Sequence, residues 1–379
     1  SIIQEYKNII YTYYSKMNPK ISNLLEEAGI FKFTLSGVNV SLANALRRII
    51  LNDIETVVFR TETYEDNNCT IDINTCRLHN EILKQRLSCI PIHSTKMDDL
   101  PGKYILELDE KNETDHILFV TTEHFKIKNK ETGEYMDSKH IFPADTRKQY
   151  IDFCRLRPKM GDVPGEQIKL TCEFSIANAG VSSMFNAVSK CAYGNTVDLD
   201  KAKEAWTEKE NKMKADGATA DEIEYTKTNF YLLDAQRYFA KDSFDFAVES
   251  VGVFTNNEIV KKACAIMQRK LLDFMEKVKE NDVPIEPSAV TMENSWDVIL
   301  ENEDYTLGKA LEFYLYDQLF ISKDKQLTFC AFKKLHPHDS SSRIRLAYVN
   351  KVSVSEISKD LEKACTDLQE IYVAIHKMF

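Results

Sequence analysis

The chain has 379 residues, of which 43% are hydrophobic and 28% charged, and a formal net charge of −10. This length allows two or three domains with hydrophobic cores. The acidic balance argues against a chain that holds a long stretch of nucleic acid by itself, because phosphate binding needs a concentrated basic surface. No apolar run approaches the roughly 18 residues that suggest a membrane-spanning helix.

The nine cysteines include no C-x-x-C pair, and the N-terminus lacks a small-residue cleavage site. We therefore expect reduced thiols in an intracellular protein without a signal peptide.

The first elements are a lead-in, a strand and a helix. Residues 1–29 form a predicted N-terminal extension, with an amphipathic stretch from Pro19 to Ala28 that stops at Gly29. A strand with period-two apolar residues follows from residue 30. Ser41 is the candidate N-cap of the next helix, which ends near Asn52. Its apolar residues recur at helical spacing: Leu42, Ala45, Leu46, Ile49 and Ile50.

Residues 61–239 are predicted to form a β-rich insert domain, because several of their segments alternate apolar and polar residues. A short helix, Leu78–Leu87, interrupts them before Pro91. Residues 198–228 are highly charged and poor in large apolar side chains, which indicates a solvated helical hairpin at the surface of the insert.

The second half of the chain repeats the order of the first elements. Residues 240–280 hold a strand and a long helix, and with residues 30–60 they make up a discontinuous first module. Residues 281–292, with two prolines, are the predicted linker. Residues 293–379 form the second module, in which a strand, a helix from Thr306, two strands and a long final helix follow one another.

The two modules carry the same short pattern. Ser41–Leu51 and Thr306–Tyr316 align without a gap at a constant offset, 306 − 41 = 265. The predicted fold is therefore α+β: two related strand–helix–strands–long-helix dimerisation modules, paired pseudo-symmetrically, the first interrupted by a β-rich insert domain. We expect the apolar helix faces to make the intramolecular pairing, through Leu42, Leu46, Ile49, Met267, Leu271, Phe274, Leu307, Leu311, Leu315, Leu361, Leu368 and Ile375.

Three segments of the first module carry a family resemblance: Ser41–Arg48, Asn74–Ile92 and Phe244–Gly252. They resemble the assembly subunit of multisubunit RNA polymerases, meaning the bacterial α N-terminal domain, the archaeal D subunit and the third-largest subunit of eukaryotic polymerase II. The second module is similar to the small partner, the archaeal L subunit or the eukaryotic eleventh subunit, through Glu303–Gly308, Phe329–His338 and Arg343–Leu346. Fusion of the two in one chain resembles the arrangement in large cytoplasmic DNA viruses.

The resemblance implies a non-catalytic platform that docks the two largest polymerase subunits, and a small subunit of the tenth- or twelfth-subunit type. DNA would be met only through the complex, no membrane is involved, and no homodimer is expected because both modules lie in one chain. A viral source would imply the host cytoplasm, at a viral factory, and packaging into the virion. The alternatives are a dimerisation scaffold of another complex and, least favoured, an independent enzyme.

The resemblance also places the large-subunit contacts on two segments. Adjacent arginines on a helix cannot both enter its apolar face, since neighbours lie ~100° apart, and the repeat has Glu312 and Phe313 at the positions of Arg47 and Arg48. A solvated pair of charges is the plainer alternative. The predicted docking residues are Asn44, Arg47, Arg48, Arg86, Leu87 and Pro91.

No catalytic residue, cofactor or metal ligand is predicted. Phosphate-binding, nucleophile-elbow, zinc-protease and dinucleotide motifs are all missing from the sequence. His336 and His338 flank Pro337 without a third ligand at a fitting distance, which favours a turn over a metal site. The cellular third-largest subunit usually carries a zinc-binding cysteine cluster, and this chain has no matching spacing.

Overall fold

A computed structural model describes residues 17–289 and 292–379. It divides into two compact units. The two-module unit comprises the described residues up to Ile49, together with Cys191–Val248 and Val260–Phe379. The insert unit comprises Ile50–Lys190 and Glu249–Ile259.

The described residues form seven α-helices and seventeen β-strands. The helices are α1 (Val40–Asn52), α2 (Asn80–Ser88), α3 (Leu199–Ala215), α4 (Ala220–Leu232), α5 (Asn256–Lys279), α6 (Tyr305–Leu315) and α7 (Val354–His376). The strands are β1 (Lys20–Glu27), β2 (Ile30–Ser36), β3 (Thr56–Val58), β4 (Cys69–Asn74), β5 (Tyr104–Lys111), β6 (Leu118–Thr121), β7 (Lys126–Asn129), β8 (Tyr135–Met136), β9 (Asp152–Leu156), β10 (Gln167–Glu173), β11 (Ser175–Ala177), β12 (Val188–Val197), β13 (Phe239–Ser250), β14 (Ile285–Pro287), β15 (Ser295–Glu301), β16 (Leu327–Lys333) and β17 (Ser341–Tyr348).

The two modules have the same sheet topology. In the first, the strand order is β1-β2-β13-β12, and in the second it is β14-β15-β17-β16. Each sheet therefore places its strands in the order first, second, fourth, third along the chain. A helix follows the second strand and a long helix follows the last. This arrangement confirms the predicted α+β fold class.

The core of each module is apolar, with a few buried Ser and Thr side chains and, in the second module, one charged exception. The helix faces that the sequence singles out are buried, because the i, i+3, i+4 spacing directs them to one side of each helix. The exception is the buried Asp297 of β15, whose carboxylate accepts hydrogen bonds of 2.6 and 2.7 Å from Arg345 on the paired strand β17. These bonds, with the nearby charge of Arg343, hold the pKa of Asp297 below its usual value.

Two segments predicted to lie outside the modules are strands of their sheets. Residues 20–27, placed in the N-terminal extension, form β1, which pairs with β2. Residues 285–287, placed in the linker, form β14, which pairs with β15. Both are edge strands, and the prolines of the linker are compatible with this position because an edge strand does not need every amide. Residues 1–16 of the predicted N-terminal extension and residues 290–291 of the predicted linker lie outside the described residues.

The charged hairpin also differs from its prediction. It consists of α3 and α4, so it extends beyond residue 228, and it belongs to the two-module unit rather than to the insert. It has a small core of its own, formed by Ala202, Trp206, Phe230 and Ala235. The hairpin joins β12 to β13, the neighbouring strands of the first module, which explains its place in that unit.

The insert unit is β-rich, as the alternating segments indicate. Its largest sheet has the strand order β4-β10-β5-β7-β8. The short helix α2 contributes Leu83 and Leu87 to the same core. A two-stranded sheet, β3 with β11, completes the region around Pro91 and is described with the candidate site.

Candidate functional site

The first candidate surface is the seam between the two modules, and its polar centre is Arg48. The Arg48 Nε donates a hydrogen bond of 2.9 Å to the Thr306 hydroxyl, and the guanidinium pairs with the Asp304 carboxylate. The side chains of Arg48 and Asp304 are 26% and 39% exposed. Arg48, predicted to dock a large subunit, thus already has partners in the second module.

Asp304 is also the N-cap of α6. Its Oδ1 accepts the Thr306 amide at 2.8 Å. Burial would raise the pKa of Asp304, but the bonds from Thr306 and the charge of Arg48 bring this pKa below its usual value. Asn39 caps α1 in the same way, because its side-chain oxygen accepts a hydrogen bond of 2.9 Å from the Ser41 amide.

The predicted N-cap Ser41 and the predicted helix start Thr306 therefore both lie two residues after the actual caps. Ser41 and Thr306 occupy the second helical position, where their amides are the donors, and the preceding Asn and Asp are strong cap residues. The caps keep the spacing of the repeat, because 304 − 39 = 265.

Further contacts join the final helix α7 to the first module across the seam. The buried Tyr372 of α7 donates a hydrogen bond of 3.0 Å to the Leu42 carbonyl of α1. The Thr366 hydroxyl of α7 lies 3.7 Å from the Met275 sulfur of α5. All of the predicted pairing residues are buried, and their pairing across the seam stays a prediction.

Arg47, the neighbour of Arg48, is half-buried, and its charge acts on Cys191 and Tyr193 of β12, where it opposes the burial that raises the pKa of each group. Its Nε donates to the Asn44 Oδ1 at 3.0 Å, and both residues are half-buried. In the described part of the chain, Arg47 has no ion pair and no hydrogen bond beyond this one. The two residues therefore retain donor capacity for a partner chain.

The other predicted docking residues, Arg86, Leu87 and Pro91, lie in the insert unit, and they differ in how far they are exposed. Leu87 is fully buried in the insert core, so it cannot meet a partner, and its prediction was wrong. Arg86 is exposed but donates from Nε to the Phe153 carbonyl at 2.7 Å, which ties α2 to β9. Pro91 is half-buried and lines an apolar groove of about 290 Å³.

The sequence did not predict this groove as a site. Its walls include Val57 of β3, Met184 and Phe185 of the 180–186 segment, and Val253. Distant segments meet here through the β3–β11 pairing, which no local pattern indicates.

Residues 17–289 and 292–379 contain no group of three or more His, Cys, Asp or Glu side chains placed to hold a metal ion. The His336 and His338 rings lie 5.0 Å apart in a turn. None of the described helices is both long and apolar enough to cross a membrane.

A paired-module α+β platform with an inserted domain is the class of protein that this geometry defines. Residues 32–271, more than half of the chain, match the RNA polymerase Rpb3/Rpb11 dimerisation domain. The chain therefore belongs to this family.

Several curated proteins are similar to the chain. The conjugation stage-specific protein of Tetrahymena thermophila is 25% identical over 304 residues, which is 66% of this chain and 92% of that protein. The DNA-directed RNA polymerases I and III subunit rpac1 of Dictyostelium discoideum is 33% identical over 172 residues, 41% of this chain and 46% of that protein. The RNA polymerase subunit Rpo3 of Pyrococcus furiosus is 26% identical over 280 residues, 66% of this chain and 93% of that protein.

Proposed function

We propose that this chain is a non-catalytic assembly subunit of a DNA-dependent RNA polymerase, in which the second module takes the place of a separate small partner. The observation that carries the proposal is the shared sheet order of the two modules within one compact unit. The family match covers the insert and most of the first module. The second module is assigned by the repeat and by its seam contacts.

The mechanism is geometric. The joined modules need no second chain to form the platform. The linker keeps the effective concentration of one module for the other high, roughly in the millimolar range for a short linker. A platform formed in advance reduces the entropy lost when the two large catalytic subunits associate. The proposed docking residues are Asn44 and Arg47 of α1 and, separately, the residues that line the Pro91 groove of the insert unit. Arg48 is assigned to the seam.

A tagged chain should recover two large polymerase subunits in stoichiometric amounts from its native source. Arg47→Ala should lower this recovery without changing the thermal unfolding of the isolated chain, because a guanidinium fork can pair with a partner's carboxylates or carbonyls. Arg155→Ala, at an arginine that is 63% exposed in the insert unit, is the matched control. Full recovery with Arg47→Ala at limiting concentration would refute the Arg47 contact.

The same experiment separates the alternatives. Recovery of unrelated large chains would favour a dimerisation scaffold of another complex. An independent enzyme remains least favoured, since no catalytic constellation is recognisable in the sequence. The viral source, the cytoplasmic location, the virion packaging and a tenth- or twelfth-type small partner remain parts of the proposal, which sequencing of the source and mass spectrometry of the recovered complex would test.

The internal pairing has its own test. A protease site between Asn281 and Asp282 cuts between α5 and β14, so that β14 stays with its own sheet. The halves should then remain together on gel filtration. Clean separation into folded halves at micromolar concentration would contradict the pairing.

A further inference from the structure

Two cysteines of the insert unit lie opposite each other on neighbouring strands. Cys69 of β4 and Cys172 of β10 are Cα partners in an antiparallel pair. The Glu173 amide donates to the Asn68 carbonyl at 3.1 Å, which places a ladder bond just outside the two cysteines. They therefore occupy a non-hydrogen-bonded pair, in which Cα atoms lie about 4.5 Å apart and side chains are closest. Disulfides span Cα separations of about 4.4–6.8 Å.

The surroundings give the two thiols different acidities. Contact with the Cys172 thiol and the charge of Lys84 lower the pKa of Cys69, although burial opposes this shift. Contact with the Cys69 thiol and burial raise the pKa of Cys172. Cys69 is therefore the thiol that ionises first, and Cys172 remains protonated beside it.

Access to the pair comes from the edge of the sheet. Both cysteines are buried, at 2% and 0% exposure. However, β4 is an edge strand of the five-stranded sheet, and Cys69 is its first residue. The end of an edge strand opens locally at low free-energy cost, so Cys69 can meet a small oxidant without global unfolding.

We propose that Cys69 and Cys172 are a redox pair that forms a cross-strand disulfide when a peroxide reaches the insert unit. The Cys69 thiolate attacks one peroxide oxygen, the O–O bond breaks, hydroxide leaves and Cys69 becomes a sulfenic acid. The Cys172 sulfur then attacks the Cys69 sulfur, its proton leaves with the sulfenic hydroxyl as water, and the S–S bond forms. Overall, two thiols and one hydrogen peroxide give one disulfide and two water molecules. The bond would fix the edge strand to β10.

The chain offers a matched contrast in Cys76 and Cys154. Their thiols also contact each other, and burial together with this contact raises the pKa of Cys154 to about 12. Cys76 lies outside the strands, so no ladder register holds it opposite Cys154. A Cys76→Ser variant should therefore leave the Cys69–Cys172 bond intact.

The test uses the folded full-length chain, treated with a small excess of hydrogen peroxide. Remaining thiols are alkylated, and the digest is mapped by mass spectrometry without reduction. The expected result is a linked Cys69–Cys172 peptide that reductant separates, with an intact mass lower by two hydrogen atoms. The thermal midpoint of the oxidised wild type should rise, and that of peroxide-treated Cys172→Ser should not.

Three results would overturn the proposal. These are alkylation of both cysteines after treatment, over-oxidation of Cys69 without a link, and linkage of either cysteine to a different one. The wild-type peptide map decides the matter even if Cys172→Ser does not fold.

Discussion

Replacing Arg48 with alanine should destabilise the isolated chain, whereas the same change at Arg47 should not. Arg48→Ala removes the 2.9 Å bond to Thr306 and the pair with Asp304, both across the seam. Bonds to charged groups contribute roughly 1.5–3 kcal/mol when shielded, and exposed ion pairs about 0.2–1 kcal/mol. With 26% and 39% of the two side chains exposed, we expect a loss of about 1.5 kcal/mol.

Urea unfolding of the intact chain measures this free energy from the midpoint and the slope. Arg47→Ala, which loses only the bond to Asn44, is the control and should stay within about 0.5 kcal/mol of wild type. Asp304→Ala and the double variant complete a mutant cycle, with an expected coupling of ~1 kcal/mol. Equal effects of the two arginine changes, or a coupling near zero, would refute the seam role of Arg48.

The same pair has a defined pH dependence. The folded-state pKa of Asp304 is lowered from its ordinary value of 3.8. The unfolded state therefore binds the proton more readily, so the contribution is fully present above the unfolded pKa and is lost as the pH falls through the folded pKa. The stability difference between wild type and Arg48→Ala should be constant at neutral pH and shrink below about pH 4.

Other contacts give further expected outcomes. Tyr372→Phe removes the one hydroxyl that bonds the Leu42 carbonyl, and urea unfolding should show a loss of about 1 kcal/mol. Asp297→Asn should cost about 3 kcal/mol, because it leaves Arg345 without its paired charge in a mostly buried site; a cost below that of Tyr372→Phe would contradict this reasoning. Elemental analysis of the purified chain should find no stoichiometric zinc, and one zinc per chain would overturn the expectation drawn from the cysteine spacing.

The sequence was sufficient for features that depend on local periodicity. The helix faces from Leu42 and Leu307, and the alternation of strands such as β10, follow from spacings of 3.6 and 2. β1 and β14 were missed because an edge strand exposed on both sides carries little alternation. Their pairing is recognisable only from the neighbouring strand.

The candidate site was less accessible from the sequence for a related reason. Helical geometry correctly predicted that Arg47 and Arg48 do not both enter the apolar face of α1. It could not predict which of the two contacts the other module. That depends on Asp304, a residue 256 positions away. Leu87 was misplaced because its helix is short, and a family contact was carried over without knowledge of which side is buried.

The pair of Arg48 with Asp304 has a consequence for which modules can join. At the repeat offset, Asn39 corresponds to Asp304 and Phe313 to Arg48, so both helix caps are kept but only one carries a charge. Two copies of the first module would set Arg48 against a neutral amide, and two copies of the second would set Asp304 against a phenyl ring. Only the mixed pair satisfies both groups, so the differences between Asn39 and Asp304 and between Arg48 and Phe313 together discriminate against like-with-like association.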